Sequence, residues 1–212
     1  MKNSLLTIFI LVLILISSYF ILTKIQISKN QNNNLVSSFS DKIQTGNLPP
    51  LGNPEAPIKI IEFGDFLCPF CAHAVTDLYP QIEGLINEGK VVLYFRDFVV
   101  HPQAMIIHNA ARCANEQGKY WEFNKSVFQK FLNGVDTSKK ENLLSLAKEL
   151  NLDLQSFEKC LDENKYSQDI QNDFQTGVNV RVKGTPTFFI NGEKVEGLNI
   201  PKVMSTINKF NK

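Results

Sequence analysis

The apolar positions of this chain change their spacing in an ordered way, and the changes predict a strand, a helix and a second strand. Ile58 to Phe63 is an apolar run of strand length. Apolar side chains then recur at helical spacing, at Phe70, Ala74, Leu78, Ile82 and Ile86. They predict a helix from Pro69 to about Glu88 that is kinked at Pro80. Val91 to Phe95 is a continuous apolar run typical of a buried strand, so the three elements should form a right-handed parallel unit.

The pattern is helical from about residue 102 to about residue 176. Apolar stripes predict helices at Pro102–Glu116, Lys119–Leu132, Lys140–Leu150 and Leu154–Leu161. A last stripe consists of Tyr166, Ile170, Phe174 and Val178. We interpret all of these stripes as packing faces rather than as cofactor-binding positions.

Strand-like runs return near the C-terminus. Thr187–Ile190 and Glu193–Glu196 are joined by Asn191-Gly192, a dipeptide typical of tight hairpins, and a short helix follows Pro201. The whole order is strand, helix, strand, inserted helices, then helix, strand, strand and helix, which predicts an α/β fold.

The longest apolar run, Leu5 to Leu22, lies at the N-terminus between Lys2 and Lys24. As a helix it would span about 27 Å, close to the hydrocarbon core of a bilayer. We expect residues 1–27 to form an uncleaved transmembrane anchor because no small-residue cleavage site follows the run, and a cleaved signal peptide with secretion is the alternative. Either would place the rest of the chain outside the cytoplasm.

Residues 28–56 are rich in Asn, Ser, Gln, Pro and Gly and show no sustained periodicity, which predicts a flexible polar tether. Residues 57–212 are enough for one globular domain, with the helical insertion at about 102–176. The whole chain has 22 basic and 21 acidic residues, so its charges nearly cancel, and they are interspersed along the sequence. This charge distribution does not favour a nucleic-acid partner. We expect no bound cofactor, since the sequence contains no phosphate-binding glycine loop.

The candidate chemistry lies in the tetrad Cys68-Pro69-Phe70-Cys71, where the first strand runs into the helix. Two cysteines one helical turn apart can close or open a disulfide with little backbone movement. The helix N-terminus favours the thiolate of the first cysteine, and Pro69 suits the first helical position. Half of a zinc site is the alternative, but no second cysteine pair or histidine pair stands at ligand spacing, so we expect no metal.

The two other cysteines, Cys113 and Cys160, lie on predicted helices of the insertion, each among core-forming residues. We expect a second, structural disulfide between them, because an even cysteine count in an exported chain fits an oxidising compartment. Two buried free thiols are the alternative.

Several separated segments resemble one family. They are Ile61 to Cys71, His101-Pro102, Ala110 to Ala114, Gln117 to Trp121 and Gly184 to Gly192 with its Gly-Thr-Pro-Thr-Phe strand start. From about Ala56 to Gly197 the chain resembles the DsbA-like thiol-disulfide oxidoreductases. The resemblance implies a thioredoxin-like fold with a helical insertion.

The resemblance also implies roles for residues outside the tetrad. Pro186 would follow a cis peptide bond beside the redox pair, and Thr185 with Pro186 would present backbone to the partner's cysteine-bearing segment. Glu62 would be a buried acid that exchanges a proton with Cys71, although a solvent-facing strand residue is the open alternative.

Four further residues near these segments are given structural interpretations. Asp65 is expected in a turn, His73 on a surface or half-buried helix face, and His101 in a structural entry turn. Phe70 stands where the best-known oxidant of the family has a histidine, which implies a less acidic Cys68 and a less oxidising disulfide.

The expected function is an extracytoplasmic oxidase that donates the Cys68–Cys71 disulfide to exported, reduced proteins through a mixed disulfide at Cys68. The expected partners are those proteins, a membrane quinone-linked thiol oxidase, and the membrane itself through the N-terminal helix. A reductase or isomerase kept reduced by a membrane thiol donor is the alternative, and a non-catalytic, chaperone-like binder is a third.

Overall fold

The computed structural model describes residues 16–21, 23, 24, 26 and 43–211. Residues 16–21, 23, 24 and 26 are helical. Most of the expected anchor, its possible cleavage site and the tether up to residue 42 lie outside the described residues. Within the part that is described, no helix has the length and apolar character needed to cross a membrane.

The domain is built on a four-stranded sheet. Its strands are β1 (Ile58–Gly64), β2 (Val91–Asp97), β3 (Thr187–Ile190) and β4 (Glu193–Glu196), in the order β2-β1-β3-β4. β1 is parallel to β2 and antiparallel to β3, and β3 is antiparallel to β4. The predicted hairpin turn is confirmed, with positive φ angles of 43° at Asn191 and 83° at Gly192. Since β1 is central and covered on both faces, all of its residues except Lys59 are buried.

The helix after β1 is interrupted where the sequence predicts a kink. α1 (Pro69–His73) runs into a π turn (Ala74–Leu78) and then into α2 (Tyr79–Asn87). The N–H of Tyr79 bonds to the carbonyl of Ala74, five residues back. The π turn makes room for Pro80, whose ring would otherwise crowd the carbonyl four residues earlier and which has no N–H to donate.

The insertion begins with a 3₁₀ turn at Pro102–Ala104. It continues with α3 (Met105–Asn115), α4 (Tyr120–Leu132), α5 (Lys140–Glu149), α6 (Leu154–Asp162) and α7 (Ser167–Asn179), and α8 (Ile200–Phe210) ends the described chain. These bounds agree with the sequence pattern to within a few residues. The core of the insertion packs around Phe123, Phe128 and Phe157, which are fully buried. α2 and α8 contribute to a second core on one face of the sheet.

The predicted packing stripe of α7 is partly exposed in its second half, although Phe174 stacks on Phe98 with centroids 4.6 Å apart. Ile170 is fully buried, but Phe174 and Val178 are 36% and 43% exposed. The helix instead turns Asp173 and Gly177 inward. Asp173 can be buried because two arginines bind it, and Gly177 because the ring of Phe98 occupies the place of a side chain.

The predicted tether is also too long at its C-terminal end. Ile43, Leu48 and Ala56 are buried against the domain. Leu51 exchanges two backbone hydrogen bonds with Leu93, at 2.8 and 3.0 Å. Because β2 is an edge strand, this segment satisfies main-chain groups that the edge leaves free. The apolar residues involved are too far apart to form a periodic signal, so the sequence pattern missed them.

Candidate active site

The tetrad sits at the carboxyl end of β1, where α1 begins. Cys68 is the N-cap residue of α1, with an extended backbone (φ −83°, ψ 118°), and Pro69 is the first helical residue. Cys71 lies within the first turn. Both cysteines are free thiols, 5% and 0% exposed. The Sγ of Cys68 lies 3.2 Å from the main-chain oxygen of Thr185.

The two thiols differ strongly in acidity. The pKa of Cys68 is lowered to about 6, and the largest cause is a hydrogen bond from the Cys71 thiol. The Thr185 side chain and two backbone N–H groups lower the pKa further. Together these interactions outweigh burial, which raises it. Burial, followed by the contact with Cys68 and the charge of Glu62, raises the pKa of Cys71 well above the ordinary thiol value. At neutral pH Cys68 is therefore the thiolate and Cys71 remains a thiol.

The loop before β3 brings Thr185 and Pro186 to the redox pair. The Thr185–Pro186 peptide bond is cis. Pro186 is buried, and its carbonyl accepts a hydrogen bond from the N–H of Gly197 at 2.8 Å. The hydroxyl of Thr187 donates to the carbonyl of Gly184 at 2.7 Å, which closes the loop on its other side. These bonds hold the Thr185 carbonyl facing Cys68.

Glu62 lies within β1 and is fully buried, so the solvent-facing alternative is wrong. Its Oε2 accepts a hydrogen bond from the Tyr79 hydroxyl at 2.8 Å, while Oε1 has no protein partner. Burial raises the pKa of Glu62 to about 8, although the Tyr79 bond acts in the opposite direction. The negative charge of Glu62 in turn raises the pKa of Cys71. A carboxyl with this pKa can both give and take a proton near neutral pH.

Asp65 occupies the expected turn and does more than turn the chain. Its fully buried carboxylate accepts backbone hydrogen bonds from Leu67 at 2.7 Å, Val100 at 2.6 Å and His101 at 2.9 Å. Its carbonyl accepts the N–H of Cys68 at 3.0 Å. Asp65 thus ties the redox turn to the loop after β2, which also places His101 beside it.

Among the described residues, the side chains of the remaining sequence candidates make no hydrogen bond to the two thiols. The structure contains a disulfide between Cys113 on α3 and Cys160 on α6, across 47 residues of sequence. His73 is exposed and lies 3.5 Å from Asp77 on the same helix. Phe70, between the two cysteines, is 60% exposed. Over the residues that the structure describes, no three His, Cys, Asp or Glu side chains form a cluster suited to a metal ion.

A buried ionic network behind the site escaped the sequence interpretation. Arg112 bonds Asp97 at 2.6 Å and Asp173 at 2.8 Å, Arg96 bonds Asp173 at 2.9 Å, and His108 lies 2.6 Å from Asp97. The network joins β2, α3 and α7. The charged residues Arg96 and Asp97 at the end of an otherwise apolar strand are a sequence signal for buried ion pairs. The residues that bind them could not be identified from spacing along the chain.

A second residue that the sequence interpretation missed is Tyr79, the hydrogen-bond donor to Glu62. In the sequence Tyr79 is an aromatic residue before Pro80, and the spacing of apolar residues along the helix does not indicate a contact with β1.

Comparisons with known proteins show which family this chain is similar to. A protein-family model described as Thioredoxin matches residues 44–209. The Na(+)/H(+) antiporter NhaA 1 of Salinispora arenicola is 32% identical over 146 residues, which are 69% of this chain and 22% of the antiporter. The chain thus spans about a fifth of the length of that relative.

Two further relatives match over most of their own length. The "Probable disulfide bond formation protein D" of Bacillus anthracis is 31% identical over 151 residues, which are 67% of this chain and 69% of that protein. The crystal structure of Wolbachia pipientis alpha-DsbA1 is 27% identical, with a TM-score of 0.69 over 77% of this chain and 90% of the other. The chain therefore belongs to the thioredoxin family, among its DsbA-like thiol-disulfide oxidoreductases.

Proposed function

We propose that this protein is an extracytoplasmic thiol oxidase that transfers the Cys68–Cys71 disulfide to exported, reduced proteins. The observation that carries the proposal is the unequal pair of thiols: the pKa of Cys68 is lowered to about 6, while burial raises the pKa of Cys71. The acidic cysteine is a good leaving group, which suits a protein that gives its disulfide away. The similarity to a protein named for disulfide bond formation supports the same direction.

The reaction begins when a substrate thiolate attacks the Sγ of Cys68 in the disulfide form. A substrate–Cys68 bond forms, the Cys68–Cys71 bond breaks, and the sulfur of Cys71 takes a proton from Glu62. A second substrate thiolate then attacks the substrate sulfur of the mixed disulfide. Cys68 leaves as a thiolate, so the substrate loses two electrons and the protein gains two. Thr185 and Pro186 are proposed to present backbone to the substrate segment during the mixed-disulfide stage.

The proposal includes the setting of the domain. Residues 1–27 would anchor the chain in the membrane, or be cleaved as a signal peptide, and residues 28–42 would tether the domain outside the cytoplasm. A membrane quinone-linked thiol oxidase would restore the disulfide. The exposed ring of Phe70 offers no charge to stabilise the Cys68 thiolate, and this observation favours the second candidate, a reductase or isomerase kept reduced by a membrane thiol donor.

Two measurements test the activity and its direction. Cys68→Ser should abolish oxidation of a reduced test protein, whereas Cys71→Ser should accumulate mixed disulfides at Cys68; full activity of Cys68→Ser would refute the proposal. The redox potential against glutathione decides the direction. A potential distinctly less negative than about −270 mV, the value of thioredoxin, supports the oxidase, and one near it supports the reductase. An inert disulfide would instead favour the non-catalytic binder.

A further inference from the structure

Tyr79 lies between the buried carboxyl of Glu62 and a groove on the protein surface. Its hydroxyl donates to Oε2 of Glu62 at 2.8 Å, and its side chain helps to line a groove of about 500 Å³ beside Trp121. The Tyr79 and Trp121 rings meet edge to face, with centroids 6.5 Å apart. The indole N–H of Trp121 is itself fixed to the carbonyl of Pro49 at 3.0 Å. The phenol is therefore held in one orientation from both sides.

The π turn places Tyr79 on the same side of the helix as Cys71. In an unbroken α-helix, a residue eight positions after Cys71 would point about 80° away from it. A π turn contains one extra residue, which makes the separation equivalent to about seven α-helical positions, or nearly two full turns. The turn at Ala74–Leu78 thus keeps Tyr79 on the side of the helix that carries Cys71, and from there the phenol reaches Glu62 on β1 at 2.8 Å.

Glu62 depends on this donor for its ionised form. The titratable groups that interact with the carboxyl are Cys68 and Cys71 at the start of α1 and Tyr79 of α2, and Tyr120 of α4 interacts in turn with Tyr79. Burial disfavours the carboxylate, a negatively charged Cys68 disfavours it further, and the Tyr79 hydrogen bond favours it. A buried carboxylate that lost this bond would keep neither of its oxygens hydrogen-bonded to protein, since Oε1 already has no such partner.

We infer that Tyr79 is a positioning residue for proton transfer at Cys71, because its hydroxyl holds Glu62 in the orientation and the ionised form that receive the thiol proton. This inference rests on the proposed function. The step concerned closes the Cys68–Cys71 disulfide when Cys68 is in a mixed disulfide with an external sulfur. Cys71 gives its proton to Glu62, its sulfur bonds to Cys68, and the external sulfur leaves as a thiolate with the bonding electron pair.

The step can be isolated with dithiobis-nitrobenzoate, an aromatic disulfide whose released thiolate is coloured. Reduced full-length protein is loaded with the reagent at acidic pH, where the first release of colour reports attack by Cys68. A jump to higher pH then starts the second release, which reports attack by Cys71. In Tyr79→Phe we expect the second release at pH 7 to slow about tenfold and its pH midpoint to rise by about one unit, the effect of losing a hydrogen bond to a charged group.

Tyr166→Phe is the matched control, because Tyr166 also donates to a carboxylate, that of Glu116 at 2.7 Å, on the far helices of the insertion. It should leave both releases unchanged. In a Glu62→Gln background, Tyr79→Phe should cause no further slowing, since the phenol acts through Glu62.

The outcomes separate the inference from the proposed function. A second release that is equally fast in Tyr79→Phe and the unaltered protein overturns the inference, as does further slowing in the Glu62→Gln background. A first release at the unaltered rate shows that the variant keeps its fold and its reactive Cys68. If the unaltered protein shows no first release, the proposed function itself fails.

Discussion

The Sγ of Cys68 lies 3.2 Å from the main-chain oxygen of Thr185, although 117 residues separate the two in sequence. The contact joins the start of α1 to the loop that leads into β3, so the nucleophile and the backbone proposed to receive the substrate are parts of one surface. The Thr185 hydroxyl makes no hydrogen bond to another group among the residues that the structure describes, so it is free to donate to the Cys68 thiolate, and it contributes to the low pKa of Cys68.

Thr185→Val should therefore make Cys68 less acidic. Loss of the hydroxyl removes one of the interactions that favour the thiolate, and we expect the Cys68 pKa to rise above 6 by about half to one unit. The pH dependence of alkylation by iodoacetamide measures this value. Thr206→Val, which removes a buried hydroxyl from α8 at a distance from the tetrad, is the control. Superimposable profiles for Thr185→Val and the unaltered protein would contradict the prediction.

Phe70→His should make the disulfide more oxidising. A hydrogen-bonding, partly cationic side chain between the cysteines stabilises the Cys68 thiolate, and hence the reduced form. If the Cys68 pKa falls by one unit, the potential at neutral pH should become less negative by about 30 mV. Equilibration with glutathione measures the change, and Phe70→Leu should leave the potential where it is. A more negative potential in Phe70→His would refute the argument.

Glu62→Gln should stabilise the reduced protein in a pH-dependent manner. Below pH 4.5 the carboxyl is neutral in both the folded and the unfolded chain, so the two proteins should be similar. Between pH 4.5 and about 8 the unfolded carboxyl ionises while the folded one stays protonated, and the unaltered protein loses stability as the pH rises. We expect the advantage of Gln to reach about 2 to 4 kcal/mol near pH 8. Urea unfolding at a series of pH values checks this, and a constant difference across the series would contradict it.

Asp173→Asn should destabilise the fold strongly. The carboxylate binds both Arg96 and Arg112 in a buried setting, and its loss leaves two buried cations with less compensation. We expect a loss of about 3 to 5 kcal/mol in the free energy of unfolding. Glu163→Gln, which removes an exposed pairing with Lys159 at 4.0 Å, is the contrast and should cost less than about 1 kcal/mol. Equal losses of unfolding free energy for the two variants would contradict the prediction, because the buried ion pairs would then contribute no more stability than the exposed pair.

The sequence determined the elements and the position of the chemistry. Apolar runs located the strands and helical spacings located the helices to within a few residues, because the central strands are buried on both faces and each helix buries one side. The spacing of Cys68 and Cys71 at a strand-to-helix junction identified the redox pair, since that chemistry needs two sulfurs one helical turn apart. The segment around Thr185 and Pro186, together with the segment that contains the redox pair, carried the family resemblance.

Only the tertiary structure decided which polar groups are buried and which groups meet them. A charged residue in an apolar run, such as Glu62 or Asp173, is compatible with either face of its element until its partners are known. Tyr79 reaches Glu62 because a π turn shifts its direction, and the segment at Leu51 is ordered because β2 has a free edge. These features depend on contacts between residues far apart in the chain, whereas spacing along the sequence records only the period of each separate element.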